Sequence, residues 1–174
     1  MRADTTMEGL AKLRPPFHKN GTVTAGNSSP LTDGAAAVML MTVEKAKAAG
    51  LKPLGIFRHF TVVGVDPDIM GIGPIPAIRK LLEIADPKMD DIGAFEINEA
   101  FAAQAAYCVR ELGMDPKRVN PNGGAIALGH PLGGTGAILT CKLLQEMARE
   151  KHRFGVVSMC IGGGMGAAGL FERA

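Results

Sequence analysis

Apolar and polar positions from residue 54 onwards alternate between the period of a strand and that of a helix. Residues 55–65 alternate apolar and polar side chains, which predicts a long strand, and residues 76–84 carry apolar side chains at helical spacing. Strands that alternate with helices predict an α/β fold in which a sheet is layered with helices. The same criteria predict further strands over 92–97, 154–159 and 167–171 and further helices over 98–112 and 136–151.

The first fifty residues lack this regularity. Two adjacent prolines, Pro15 and Pro16, exclude helix locally, and the residues that follow are rich in turn formers. Pro53 marks a break in the pattern, at which we expect a domain boundary. The short elements predicted before it are a strand at 22–25, an alanine-rich element through 38–41 that Asp33 caps, and a helix over 42–50 that Gly50 ends.

Composition excludes several classes of partner. The 174 residues are 47% hydrophobic and 21% charged, as expected of a globular domain with its own core. The net charge of +2 comes from scattered lysines and arginines, so neither nucleic acid nor a membrane surface is expected as a partner. No apolar run approaches the roughly 18 residues that span a bilayer, and the first residues do not resemble a signal peptide.

The three cysteines are Cys108, Cys141 and Cys160. They lie far apart and form no CxxC pair, so we expect neither a disulfide framework nor a structural metal site, and we expect a reducing, cytoplasmic location. Cys108 and Cys141 fall within predicted helices and are interpreted as packing residues.

A glycine-rich stretch, NPNGGAIALGHPLGGTG at 120–136, has too few large side chains to pack as a core element. Glycine is kept where φ is positive or where backbones approach closely. This backbone is therefore interpreted as bending around a ligand. His130, between Gly129 and Pro131, is presented to that ligand.

A second glycine cluster, CIGGGMGAAG, begins at Cys160 at the end of a predicted strand. The N–H groups of such glycines can bind an anion or lower the pKa of a thiol. Spacing alone favours Cys160 as a nucleophile with His130 as its base, although an inert buried thiol is the common alternative. The GxGxxG pattern at Gly164 is not interpreted as a dinucleotide site, because only five residues follow Gly169 and a helix is required there.

Several of these motifs together resemble the thiolase family. NEAFAAQ at 98–104, NPNGGAIALGHPLGGTGA at 120–137 and SMCIGGGMGAAGLFE at 158–172 resemble its three C-terminal signature blocks. AKLRPPF at 11–17 and GTVTAGNSSPLTDGAAAV at 21–38 resemble the stretch before them, and DPDIMGIGPIPAI at 66–78 favours the 3-ketoacyl-CoA type. The resemblance runs from about residue 2 to residue 171.

The resemblance implies a C-terminal thiolase-type domain with a mixed β-sheet layered with helices. It also implies an acyltransferase of fatty acid metabolism and β-oxidation. Such an enzyme carries out CoA-dependent thiolytic cleavage of a 3-ketoacyl-CoA, or the reverse Claisen condensation of acyl-CoAs. Coenzyme A is then a substrate, and no cofactor is bound covalently.

Each candidate residue acquires an implied role. Asn98 follows the predicted strand FEI and by itself reads as a helix N-cap, but it resembles the asparagine that holds a water of an oxyanion hole. His130 resembles the histidine that activates the nucleophilic cysteine and helps form that hole. Cys160 resembles the second cysteine, which moves the proton at the α-carbon and is not the nucleophile. The backbone N–H of Gly162 resembles a donor of the other oxyanion hole.

The resemblance also implies a division of the chain and a missing part. Residues 1–31 would end a loop domain that covers CoA, 32–52 would be the last strand and helix of the N-terminal domain, and 53–174 would be the C-terminal domain. Family members carry the nucleophilic cysteine in an N-terminal half that these residues do not match, so we expect the chain alone to be inactive. Four further residues fall where the family binds its substrates: Ser29 and Arg2 contact CoA, and Met70 and Phe101 line the acyl pocket.

Other functions stay open at this point. The chain alone could be a non-catalytic remnant that binds CoA or a partner, or a thiol enzyme such as a hydrolase built on Cys160 and His130. As part of a thiolase, the chain is expected to have an N-terminal thiolase half as its protein partner, and as a non-catalytic remnant it is expected to associate with a second copy of itself.

Overall fold

A computed structural model describes residues 2–174 as helices around one four-stranded sheet. Short 3-10 helices occupy Ala25–Asn27, Pro67–Ile72, Met89–Asp91 and Pro116–Arg118. The α-helices are α1 (Met7–Ala11), α2 (Val43–Ala48), α3 (Pro74–Ile84), α4 (Ala102–Glu111), α5 (Ala125–Leu128) and α6 (Thr135–Arg149). The strands are β1 (Gly55–Gly64), β2 (Ile92–Ile97), β3 (Phe154–Ile161) and β4 (Met165–Arg173).

The sheet has the order β1-β4-β3-β2 and is mixed. β4 pairs antiparallel with both β1 and β3, whereas β2 pairs parallel with β3. The parallel pair is joined by the long crossover that contains α4, α5 and α6, as parallel strands require. The carboxyl ends of β2 and β3 therefore lie side by side, which places residue 98 near residue 160.

Each face of the sheet is covered by one long helix. The apolar side of α3, with Ile78 and Leu81, packs on Phe95 and Val156, while Leu143 and Met147 of α6 pack on Val157. Successive strand residues point to opposite faces, so neighbouring Val156 and Val157 show that the two helices lie on opposite sides. The predicted α/β fold with a mixed, helix-layered sheet is confirmed.

The glycines of β4 allow α3 to approach the sheet. A Cβ added to Gly166 would overlap the backbone of Gly73, which immediately precedes α3. Residues 165–173 form a strand and no helix follows the GxGxxG pattern, which agrees with the rejection of a dinucleotide site.

Two of the short elements predicted near the start of the chain are wrong. In place of a strand at 22–25, Thr24 caps the 3-10 helix Ala25–Asn27, and its N–H donates to the Asn27 Oδ1 atom at 2.8 Å. Residues 33–41 form no regular element, because no strand of the described chain lies beside them to pair with them. Met39 and Leu40 in this segment are 81% and 79% exposed. The helix predicted to end at Gly50 is present as α2, and Gly50 has φ 65°.

None of the helices within residues 2–174 is long and apolar enough to cross a membrane.

Candidate active site

Asn98 leaves the carboxyl end of β2 and is buried. Its N–H donates to the Ser158 carbonyl of β3 at 3.0 Å, which fixes it beside the neighbouring strand. The interpretation of Asn98 as a helix N-cap is wrong, because α4 begins at Ala102 with Phe101 at the N-cap position. The Asn98 side chain turns to the glycine stretch, where its Nδ2 atom lies 3.2 Å from the His130 Nε2 atom.

The glycine stretch is tied to β2 by Asn120. The Asn120 side chain imitates a neighbouring strand: its Oδ1 accepts from the Ile97 N–H at 2.8 Å and its Nδ2 donates to the Ile97 carbonyl at 2.9 Å. Asn120 has φ 47°, a conformation that asparagine adopts more readily than most residues. The residue was not recognised from the sequence, although an asparagine before proline at the start of a glycine run is a signal for such a turn.

His130 is placed by the N-terminal segment as well as by its own loop. The His130 N–H donates to the Thr32 Oγ1 atom at 3.3 Å, and residue 31 forms a bridge with residue 130. Gly129 has φ 101°, and a Cβ there would lie 2.6 Å from Thr32 Oγ1, so a side chain would push this segment away. An open depression of about 400 Å³ beside the ring is lined by Leu31, Thr32, Asp33, His130 and Leu132.

The His130 ring is partly buried and contacts two polar side chains. In addition to Asn98 at Nε2, its Nδ1 atom lies 2.7 Å from the Thr135 Oγ1 atom at the start of α6. Loss of solvation lowers the pKa of His130 below its ordinary value. A lowered pKa favours the neutral ring at pH 7, and a neutral imidazole can accept a proton.

Cys160 lies at the end of β3, opposite Gly166 of β4. Burial raises the pKa of the Cys160 thiol, and a backbone hydrogen bond opposes the shift without cancelling it. The lowering of a thiol pKa that glycine N–H groups can produce is not found at Cys160, because desolvation outweighs the backbone hydrogen bond. At neutral pH the group is a thiol that holds its proton rather than a standing thiolate nucleophile.

Gly162 begins the tight turn between β3 and β4. Gly163 and Gly164 have φ 88° and 90°, and the Gly164 carbonyl accepts from the Val65 N–H at 2.8 Å, which fixes the turn to the end of β1. Gly162 itself is exposed, and a Cβ there would meet no atom within 4 Å. Its N–H is thus carried on a fixed turn next to Cys160.

Three of the four predicted substrate-binding residues lie on segments that adjoin those of this centre. The Ser29 N–H donates to the Ala100 carbonyl at 2.9 Å, two residues from Asn98. Phe101 meets Phe17 edge-to-face, with ring centroids 6.2 Å apart. Met70 lies in the 3-10 helix Pro67–Ile72, which packs against α4 and β3.

Arg2 is the exception. It is exposed, and among the hydrogen bonds and ion pairs of residues 2–174 its only contact is from the Thr5 hydroxyl to its carbonyl at 2.9 Å. Within residues 2–174, no hydrogen bond or ion pair therefore joins Arg2 to the other candidates.

The remaining cysteines form no hydrogen bond with the candidate residues of the described chain. Cys108 is fully buried in α4, its Sγ donates to the Gly71 carbonyl at 3.6 Å, and burial raises its pKa to about 11. Cys141 lies partly buried on α6. Across the described residues, no group of three or more His, Cys, Asp or Glu side chains is arranged to hold a metal ion.

A wider cleft lies elsewhere, between β1, β4 and the segment after α3. Its lining includes Arg58, Arg153 and Glu172, and none of the candidate residues reaches it. Both arginines form ion pairs with Glu172. This cleft is larger than the depression at His130. The depression is nevertheless the better candidate site, because the predicted catalytic residue His130 lines it.

Family models match both parts of the chain. The C-terminal domain of thiolase matches residues 51–173, and the N-terminal domain of thiolase matches residues 1–44. A 3-ketoacyl-CoA thiolase of Bacillus subtilis is 62% identical over 172 residues, which are 99% of this chain and 44% of that protein. The human peroxisomal 3-ketoacyl-CoA thiolase is 59% identical over 173 residues, which are 99% of this chain and 41% of that protein.

Solved structures agree with the sequence matches. The Bacillus anthracis acetyl-CoA acetyltransferase superposes with a TM-score of 0.97 at 51% identity, over 99% of this chain and 44% of that one. The human mitochondrial 3-ketoacyl-CoA thiolase in complex with CoA gives 0.92 at 44% identity, with the same coverage of each chain. The chain thus spans less than half the length of the relatives that it matches. With the signature loops assembled at the ends of β2 and β3, these matches show that the chain belongs to the thiolase family.

Proposed function

We propose that this chain supplies the C-terminal part of a CoA-dependent thiolase. The whole enzyme would cleave a 3-ketoacyl-CoA with CoA, or condense two acyl-CoAs in reverse. The observation that carries the proposal is the meeting of Asn98, His130 and the end of β3 at Cys160, three segments distant in sequence, at one edge of the sheet. The nucleophilic cysteine would come from the part of the enzyme that these residues do not match.

His130 would act on that cysteine as the base. Its neutral Nε2 takes the thiol proton, and the thiolate attacks the ketone carbonyl of the bound 3-ketoacyl-CoA. The imidazolium then donates its Nε2–H toward the developing oxyanion, and the buried Asn98 amide supports the same position. Removing one such donor costs roughly 2.7–4 kcal/mol of transition-state stabilisation.

Cys160 would move the other proton. When the carbon–carbon bond breaks, acetyl-CoA leaves as an enolate, and the protonated thiol of raised pKa donates its hydrogen to the α-carbon. The resulting Cys160 thiolate then accepts the proton of the incoming CoA thiol, which attacks the acyl-cysteine. The N–H of Gly162 would hold the enolate oxygen.

Substrate binding would use the surface in front of this centre. We assign Ser29 and Arg2 to CoA, and Met70 and Phe101 to the acyl chain. Support comes from the position of Ser29 and Phe101 beside Asn98 and from the open depression at His130. Arg2 rests on the family resemblance alone.

The division of the chain agrees with its exposed apolar surface. Residues 53–174 would be the C-terminal domain, 1–31 the end of the loop domain, and 32–52 the end of an N-terminal domain. Met39 and Leu40 of the last segment, and Phe57 and Phe60 of β1, are exposed and apolar. Exposed apolar side chains of this kind are expected to be covered by the rest of the enzyme or, failing that, by a second copy.

The relatives support the proposed process. They include 3-ketoacyl-CoA thiolases from a bacterium and from peroxisomes, which supports β-oxidation. We place the protein in the cytoplasm because all three cysteines are free thiols, as in a reducing compartment.

The proposal is tested by CoA-dependent loss of acetoacetyl-CoA absorbance. The chain alone is expected to give no turnover above a sample without protein. A fusion in which the unmatched part of the Bacillus subtilis relative precedes this chain is expected to turn over steadily, because the fusion restores the nucleophile. Circular dichroism of both proteins checks that each is folded.

Two results would contradict the proposal. Turnover by the chain alone would show that no outside cysteine is needed. A folded fusion without turnover would show that these residues are not a competent half of the enzyme, and CoA binding by calorimetry would then favour the alternative, a non-catalytic CoA-binding remnant.

A further inference from the structure

Thr135, the first residue of α6, stands directly behind the catalytic ring. It is buried, with 4% of its surface exposed, and its Oγ1 atom lies 2.7 Å from the His130 Nδ1 atom. The same oxygen lies 2.8 Å from the Pro131 carbonyl oxygen. A hydroxyl has one hydrogen to donate, so these two contacts constrain each other.

The constraint favours one direction of hydrogen bonding. The Pro131 carbonyl can only accept, and a helical threonine commonly donates to the carbonyl four residues before it. If the Thr135 hydroxyl donates there, its oxygen accepts from His130 and the Nδ1 atom must carry a hydrogen. On the other side of the ring, the Asn98 amide lies 3.2 Å from Nε2.

We propose that Thr135 is a positioning residue that holds His130 as its Nδ1–H tautomer and so leaves Nε2 unprotonated, the state in which it can take the proton of the reacting thiol. Two hydrogen bonds then run in one direction, from His130 to Thr135 and from Thr135 to Pro131. The catalytic consequence rests on the proposed function, whereas the tautomer itself does not.

The contact at Nδ1 suits both states of the ring. Nδ1 donates to Thr135 when His130 is neutral and continues to donate when Nε2 has taken a proton. The hydrogen bond behind the ring is therefore kept while Nε2 changes from base to oxyanion donor. The acceptor behind it is itself fixed, because the Pro131 carbonyl also receives the N–H groups of Gly134 and Thr135 at 2.9 Å each.

Two substitutions separate this role from packing. Thr135→Ser keeps the hydroxyl, while Thr135→Val keeps the shape and removes it. The valine variant is expected to fold, because the Pro131 carbonyl retains its two backbone donors. The valine variant therefore removes the hydrogen-bond partner of His130 Nδ1 and leaves the Pro131 carbonyl paired.

The test is long-range proton–nitrogen NMR of the imidazole rings in the ¹⁵N-labelled chain at pH 8, with His130→Gln to assign the signals. In the wild type and in Thr135→Ser, we expect the protonated nitrogen of His130 to be Nδ1. In Thr135→Val, we expect the signals to shift toward the Nε2–H tautomer. The amide spectrum reports folding of each variant.

An Nε2–H tautomer in the wild type would overturn the proposal, and this result needs no variant to fold. An unchanged Nδ1–H signal in folded Thr135→Val would overturn it as well. Because the measurement uses no substrate, it is independent of whether the fusion shows thiolase activity.

Discussion

Replacing Cys160 by alanine in the fusion is expected to lower the thiolysis rate by about 10²–10⁴-fold, the usual contribution of a positioned acid or base. The enolate that leaves in the cleavage step would have no proton donor within the site, and the incoming CoA thiol would have no base. The burial that raises the pKa of Cys160 keeps the wild-type thiol protonated at pH 7 and therefore ready to donate. The rate constant kcat for loss of acetoacetyl-CoA measures the effect.

Cys141→Ala is the matched control for this change. Cys141 is also a partly buried free thiol, but it lies on α6 outside the predicted site. It is expected to leave kcat within about twofold, since general acid–base catalysis requires a group in reach of the reacting atoms. A Cys160→Ala fusion as fast as Cys141→Ala would refute the acid/base role.

Replacing Lys142 by methionine is expected to destabilise the chain by about 3–5 kcal/mol at pH 7, as removal of one partner from a buried ion pair does. Lys142 Nζ lies 2.8 Å from Glu96 Oε2 and also donates to the Gly123 carbonyl of the glycine stretch. The Glu96 side chain is 0% exposed, and its Oε1 has no hydrogen-bond partner within the described chain. Without Lys142, a charged carboxylate would be left uncompensated between β2 and α6.

The loss depends on pH with a definite sign. Burial already raises the pKa of Glu96, against the lowering effect of Lys142, so the variant raises it further. A carboxyl whose folded pKa exceeds its unfolded value of about 4.3 destabilises the fold as pH rises between the two values. The destabilisation of Lys142→Met is thus complete above the raised pKa and fades as pH falls toward about 4.

Urea unfolding at several pH values measures this prediction. The double variant Glu96→Gln with Lys142→Met is expected to recover most of the loss, because no charge remains to be buried. Arg58→Met, which removes the 46%-exposed partner of Glu172, is the surface control and should cost under about 1 kcal/mol. A Lys142→Met variant no less stable than Arg58→Met would contradict the account of the buried pair.

The sheet and its two covering helices could be predicted because their periodic patterns are local. Alternation or helical spacing over about ten residues predicts β1, β2 and the apolar side of α3. The segment 33–41 has a similarly apolar composition but forms no strand, because a strand also needs a neighbour and periodicity does not report one.

The sequence identifies the residues of the site more readily than it predicts their arrangement in space. His130 and Cys160 stand out by their glycine settings, whereas Asn98 looks like an ordinary helix cap until the chain brings it against His130. The raised pKa of Cys160 was missed because desolvation comes from packing of distant segments, while the glycine N–H groups are visible in the sequence. Thr135 was missed because a threonine at the start of a helix is commonplace; only its distance to Nδ1 makes it special.

The central claim is that this chain holds the acid/base cysteine and that the nucleophile lies outside it. Peptide mass spectrometry of the fusion, quenched after brief incubation with acetyl-CoA, tests this most directly. The account predicts one acetyl group on a cysteine of the added N-terminal part, still present in Cys160→Ala, with Cys160 unmodified in the wild-type fusion. An acetyl group on Cys160 would contradict the account.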